Sequence, residues 1–408
     1  MPYYRQVGDL PRKRHSYAPV DAGYLFEELM GHEGFAQESS LLYHLRSPSA
    51  IVDVVAVDAP LVDIAPDHPL LPRHLRTGGI PPAPDAVLGR TVLFANDDIR
   101  IAWFAATGDS ELFRDATGDQ LIYVQSGAGA LESSFGTLTV ASGDYVVVPT
   151  ATTHRWRVDG AEPLGALVLE ASGHVRVPQR YLSDRGQLRE GAPFSERDLR
   201  APEGPFVCTG EDVPVLVRTR AGMSRLVHAT HPFDVVAWDG CVWPFAFSIH
   251  DFEPIVGSRH QPPPVHQTFE GEGFAVCSFV PRPYDFGEGA VKVPYHHANV
   301  DFDEILFYSA GDFMSRAGSG IGVGSISYHP AGFVHGPQPG SVEGSRDATY
   351  TEEVAVMVDT FAPLGLSGAA RAISDPTYAW TWAGAVRRWH VQAVASASTM
   401  SDPPCRFA

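Results

Sequence analysis

Cysteine is scarce in this chain. Four occur in 408 residues, Cys208, Cys241, Cys277 and Cys405, and none form a C-x-x-C pair. That count excludes a disulfide framework and a thiolate zinc ribbon, and it favours a reducing compartment. Long apolar runs are missing too. No stretch approaches the roughly 20 residues of a membrane span, and the start, Met1-Pro2-Tyr3-Tyr4-Arg5, has no apolar segment of the secretory kind. A soluble, cytoplasmic protein with no membrane partner is expected. Positive charge is in deficit, with 30 Lys and Arg against 48 Asp and Glu, a formal net charge of −18. Nucleic-acid phosphates would be repelled by such a surface. An anionic small molecule would need a locally positive site such as a metal. A phosphate cradle is also lacking. The glycine-rich Gly318-Ser319-Gly320-Ile321-Gly322-Val323-Gly324 has no helix after it and reads as a loop at a barrel mouth.

What is plentiful is glycine and proline, 39 and 34, which favours turn-rich β architecture over long helices. With 44% hydrophobic residues the chain can bury sizeable cores, and its length suggests two domains of about 150–200 residues. An internal repeat supports that division. Asp119-Gln120-Leu121-Ile122-Tyr123-Val124-Gln125-Ser126-Gly127 has a near-copy in Asp303-Glu304-Ile305-Leu306-Phe307-Tyr308-Ser309-Ala310-Gly311. Each copy is followed by a β-rich run ending in Pro-x4-His, Pro149 to His154 and Pro330 to His335. Gln120 to His154 spans 34 residues, against 31 from Glu304 to His335. A duplicated barrel is the reading. Tyr24 to Met30 reads as a short helix, Ser195-Glu196-Arg197-Asp198 as a helix start, and the Trp380 and Trp382 region as an extended segment packing back on the barrels. Ser396 to Ala408 look frayed.

The copies differ where chemistry needs them to agree. Gln120 stands where Glu304 stands, and no histidine lies six or seven residues before Gln120. An amide is a poorer ligand than a carboxylate for a hard dication, so the first module reads as metal-free and His154 as structural. The second module carries His297, Glu304 and His335, two imidazoles and one carboxylate of the kind that binds a mononuclear metal and leaves positions open. Taken singly, each histidine reads as a surface or turn residue; together with Pro330-x-Gly332-x-x-His335 they read as a metal site. His297 and Glu304 are seven apart, so an unbroken strand would point them to opposite faces. A turn is expected at Asn299 to Asp301.

Pro330-x-Gly332-x-x-His335 resembles the second motif of the cupin superfamily. The longer stretch, Tyr295-His296-His297-Ala298-Asn299 through Glu304, then His329-x5-His335-Gly336-Pro337, resembles the homogentisate 1,2-dioxygenase family, nearest its shorter bacterial branch. Leu25 to Gly31, Leu41 to His44 and His231 to Gly240 add to the likeness. The resemblance implies a mainly β bicupin, two cupin-like barrel or jelly-roll modules with few short helices. Its divisions would be an N-terminal arm (1–50), a degenerate metal-free module (51–190), a catalytic module (191–375) and a C-terminal segment (376–408). It implies an Fe(II)-dependent oxidoreductase that turns homogentisate and O2 into maleylacetoacetate in tyrosine and phenylalanine catabolism. It also implies a homo-oligomer, trimer or hexamer.

Residue by residue, the resemblance makes His297, Glu304 and His335 the metal ligands. His329 matches a histidine next to the metal, and the base falls on His260, with His266 competing. Two departures bear on the substrate. Phe313 stands where the family's better-known members have a tyrosine that helps hold it, and Ala298 stands where they have arginine. Tyr308, Tyr295 or Arg282 would have to supply the missing polar contact, with Asn299 close by. A site that hydrogen-bonds its substrate discriminates more strongly than one that only packs it. A different hydroxylated aryl acid therefore stays open, as do a non-catalytic metal-binding bicupin, a cupin isomerase or hydrolase, and Mn(II) in place of Fe(II).

Overall fold

The computed structural model describes residues 3–16, 24–58 and 62–386, and they form a mainly β protein, as expected. Among the described residues α-helix is limited to Ser341–Gly344 and Gly368–Ala372. Cys405 and the stretch expected to fray, 396–408, lie outside the described residues.

A nine-stranded sheet runs through the middle of the protein. Its order is Leu199–Arg200, Phe245–Ser248, Asp144–Val148, Gln120–Ser126, Leu164–Ala171, Ile99–Ala106, Thr91–Ala95, Gly365–Ser367 and Ile64–Ala65. All eight residues of Leu164–Ala171 are buried. A strand covered on both faces needs apolar residues at consecutive rather than alternate positions, and Leu164-Gly-Ala-Leu-Val-Leu supplies them.

Side-chain alternation then sorts residues into two cores. Ile122, Val124, Phe104 and Val168 pack against Trp156, Leu131, Leu138 and Leu216 of a seven-stranded sheet. That sheet runs Gly136–Ala141, Ala128–Ser133, His154–Asp159, Phe113–Asp115, Glu211–Thr219, Gly222–Thr230 and Ile51–Val57. Leu121, Tyr123, Trp103 and Leu167 face the other way, onto Ile305, Phe307, Ile326 and Val356 of a second seven-stranded sheet. Its order is Gln267–Gly271, Phe274–Phe279, Val354–Thr360, Asp303–Ala310, Ser325–His329, Arg73–Arg76 and Ser374–Asp375. Because Ile305 and Phe307 point into the core, Glu304, Leu306 and Tyr308 point away from it. The candidate site lies on that outer face.

Strand exchange ties the layers together. Arg73–Arg76 pairs with Ser325–His329, while Gly365–Ser367 returns to pair with Thr91–Ala95. Two buried hydroxyl contacts cross the interface, Tyr123 Oη to Ser309 Oγ at 2.8 Å and Tyr145 Oη with Ser278 Oγ at 2.9 Å.

Two local expectations are corrected. The stretch expected to be a helix at 24–30 is a strand, Phe26–Gly31, paired with Ser39–His44 in a four-stranded sheet. Glu27, Glu28, Leu29 and Met30 are good helix formers, but propensity is weak beside the ladder their neighbours offer. The C-terminal stretch is not extended; it makes the short helix at 368–372 and a 3-10 run, Tyr378–Val386. Ser195 starts only one 3-10 turn, Glu196–Asp198, closed by its N–H donating to Asp198 Oδ2 at 2.8 Å.

Phe307 is fully buried between Trp103 (ring centroids 5.5 Å apart) and Tyr123 (6.1 Å). Phe307→Ala should therefore cost about 3–5 kcal/mol in equilibrium denaturation. A loss below about 1 kcal/mol would mean the two layers do not depend on this contact.

Candidate metal centre

The strand Asp303–Ala310 is the base of the site, and it carries Glu304 near its start. On either side Glu304 is paired in register with His329 and with Asp359. Above it a two-residue ladder, His297–Ala298 against Val334–His335, sets His297 directly opposite His335. The chain does turn between His297 and Glu304. Asn299 is buried at the bend, its side-chain Nδ2 donating to the His329 carbonyl at 3.0 Å and its backbone carbonyl accepting from Gly332 N–H at 2.8 Å.

His297, Glu304 and His335 each offer one donor atom, and these atoms lie within 4.8 Å of one another. His335 Nε2 is 3.4 Å from Glu304 Oε1, and His297 Nε2 is 3.8 Å from Oε2. Both imidazoles are braced alike. His335 Nδ1 meets the Phe333 carbonyl at 3.3 Å and His297 Nδ1 the Tyr295 carbonyl at 3.2 Å. A carbonyl only accepts, so each Nδ1 carries the proton and each Nε2 turns a lone pair toward the carboxylate. His335 Nε2 is buried with no hydrogen-bond partner. Lone pairs gathered with no donor between them suit a cation, so the donor set fits a metal.

His329 holds Glu304 from the other side, with its Nδ1 2.7 Å from Oε1 and its Nε2 3.0 Å from the Tyr378 hydroxyl. Burial opposes ionisation of Glu304, yet its hydrogen bonding, that from the His329 N–H included, outweighs it and keeps the carboxyl well below its usual range. Burial pushes His329 down to about 3, so it stays neutral and donates. The segment after 376 completes the support. Trp382 Nε1 donates to the Gly336 carbonyl at 3.1 Å, and Arg316 Nη1 donates to the same oxygen at 2.7 Å.

A cavity of about 460 Å³ opens over the triad, lined by His297 and Glu304. That volume suits a small aromatic ligand. His260 and His266 both line it. His260 Nδ1 lies 3.8 Å from Asp285 Oδ2, while His266 is buried against Phe279 and burial takes its pKa down to about 3. Tyr295, Arg282 and Phe302 are also in the wall. Phe313 and Tyr308 are not. They pack edge to face at 4.9 Å beneath it, and the Tyr308 hydroxyl already accepts from Arg316 Nε at 2.8 Å. Phe307 belongs to the core between layers.

Wall residues that escaped the sequence reading include Asp285, Arg316, Glu353 and Asp359. Asp359 is pushed up to about 8 by burial first and then by Glu304. The repeat held a clue to it. Gln120 is flanked in register by Val148 and Glu170, as Glu304 is by His329 and Asp359. In the first module Arg90 and Arg218 reach Glu170 at 2.9 and 2.5 Å, and Gln120 donates to Asp115 at 2.8 Å. Guanidinium groups supply the positive charge there. His154 keeps the same brace as His335, Nδ1 to the Thr152 carbonyl at 3.0 Å.

The comparisons with known proteins follow. The family described as "Homogentisate 1,2-dioxygenase N-terminal" matches residues 88–249, a stretch that ends before the triad. "Putative dioxygenase SSO1533" of Saccharolobus solfataricus is 38% identical over 94% of this chain and 99% of its own length. A homogentisate 1,2-dioxygenase of Emericella nidulans is 25% identical over 78% of this chain and 70% of its own. One from Rhodopseudomonas palustris BisA53 is 24% identical over 94% and 91%. Among solved structures, a "Cupin 2 conserved barrel domain protein" from Leptotrichia buccalis covers 74% of this chain and 98% of its own at 9% identity, with a TM-score of 0.30.

Glu304→Gln reproduces the first module's residue and removes the charge. Fe(II) affinity at this site should fall by at least about 100-fold, with the circular dichroism spectrum unchanged. Unchanged iron affinity would strike Glu304 from the ligands.

Proposed function

The chain belongs to the homogentisate 1,2-dioxygenase family, and from that premise we propose that it cleaves the ring of a hydroxylated aryl acid using both atoms of O2. Homogentisate, giving maleylacetoacetate in tyrosine and phenylalanine breakdown, is the first choice. The observation that carries this reading is the buried, unpartnered His335 Nε2 facing Glu304, which with His297 lines the cavity.

His297, Glu304 and His335 would hold iron(II), with Mn(II) the competing ion. When bound, the metal supplies a Lewis acid for the substrate and coordination positions at which O2 chemistry proceeds. The remaining tasks fall to side chains. Arg282 and Arg316 in the wall attract and orient the substrate's carboxylate. His260 takes the phenolic proton, and Asp285, 3.8 Å from its other nitrogen, steadies the ring as the charge arrives. Phe279, Phe302, Leu306 and Met357 keep water off the reacting carbons. A homo-oligomer accompanies this reading.

A second reading, a different aryl acid, is favoured by one observation. Phe313 lies under the wall, and the Tyr308 hydroxyl is engaged by Arg316, so neither offers a polar contact to the ligand. Oxygen uptake by the anaerobically iron-loaded protein, measured over a panel of dihydroxyphenyl acids, separates the two readings. Fast uptake with homogentisate supports the first. Uptake only with another member supports the second, and none with any would leave a metal-binding bicupin.

His260→Gln should lower kcat/KM by about 10²–10⁴-fold, whereas His266→Gln should change it less than about tenfold. The reverse ranking in the same assay would make His266 the base.

A further inference from the structure

A second cluster of metal-ligand side chains lies far along the chain from the triad. His32, Asp119 and His174 bring one donor atom each within 4.8 Å of one another. They come from three places: the turn after the arm strand Phe26–Gly31, the residue before Gln120–Ser126, and the loop after Leu164–Ala171. We propose that these three residues bind a structural divalent cation of the zinc type, clipping the N-terminal arm to the end of the central sheet.

Three observations support it. Asp119 is buried and preset, with Oδ1 accepting the Thr150 N–H at 2.8 Å and Oδ2 the Val175 N–H at 2.9 Å. Each oxygen has a lone pair to spare. His174 Nδ1 lies 3.4 Å from Asp119 Oδ1, about the spacing of neighbouring ligands in a tetrahedral zinc site. Its other nitrogen lies 3.9 Å from Glu33, the kind of carboxylate that steadies a ligating imidazole from behind.

His32 supplies the second observation. Its ring stacks on His174 with centroids 4.0 Å apart, and its Nε2 is buried without a hydrogen-bond partner. Two stacked imidazoles beside one carboxylate cannot share a single proton among all their lone pairs, but they can share a cation.

The backbone supplies the third. Glu33, Gly34 and Phe35, which follow His32, all have positive φ (49°, 63° and 67°). Left-handed backbone costs roughly 1–2 kcal/mol at each non-glycine residue, so something must favour this turn. Phe35 is largely exposed, its ring lying over Gly31, and the His32 N–H donates to the Glu38 carbonyl at 2.9 Å across the turn. Two imidazoles and a carboxylate are borderline donors that suit Zn²⁺ better than Mg²⁺ or Ca²⁺.

The test uses the full chain carrying Glu304→Gln, which removes triad binding and so keeps this site's failure distinct from that of the dioxygenase reading. After Zn²⁺ loading and dialysis, that protein should retain one Zn²⁺ per chain, and Co²⁺ in its place should give the visible bands of a tetrahedral site. Adding His32→Ala, on the half-exposed turn, should abolish that equivalent and the rise in Tm that Zn²⁺ confers; Asp119→Asn should do the same. His32→Ala alone should leave oxygen uptake by the iron-loaded protein unchanged. No retained Zn²⁺ in the Glu304→Gln protein, or the same stoichiometry after His32→Ala, would overturn the proposal.

Discussion

The site is organised around one buried charge. Glu304 is ionised and almost wholly enclosed, and it sits on the outer face of a sheet whose other face is solid core. Burying a carboxylate is costly unless its oxygens are matched. Here Oε1 is matched by the His329 N–H and also faces His335 Nε2, while Oε2 faces His297 Nε2, both imidazoles being held in place by backbone carbonyls. Only a positive charge among the three relieves that arrangement. That geometry fits a cation, and the cavity above it is where a ligand of that cation would sit.

The layered fold is what makes so polar a centre tolerable. The central sheet is covered on both faces, so the second module needs only one broad sheet of its own, with short ladders and loops over the opposite side. That leaves the outer face of Asp303–Ala310 open to the cavity rather than packed. The first module shows the alternative solution at the same register. There Arg90 and Arg218 supply fixed guanidinium charge against Glu170, with Gln120 beside them, and the space is filled.

The triad was legible because it is local: His297, Glu304 and His335 fall within 39 consecutive residues in a motif of recognisable spacing. The β class was legible from glycine, proline and the repeat. Asp359 and Arg316 were not, since each is a single polar residue from a strand or turn whose neighbours give no hint that it faces a cavity. Phe313, expected beside the substrate, packs instead against Tyr308. The segment at 24–30 was misread because its helix-forming side chains are overruled by a partner strand that sequence cannot display. The His32, Asp119 and His174 cluster has no local spacing at all; three separate loops bring it together.

The central claim is that His297, Glu304 and His335 share one metal ion. Anomalous diffraction at the iron edge from crystals of the Fe(II)-loaded protein tests it directly. The account predicts a single peak about 2.2 Å from His297 Nε2, His335 Nε2 and a Glu304 oxygen. Iron bound elsewhere, with His335 Nε2 turned away to a protein hydrogen-bond partner, would contradict it.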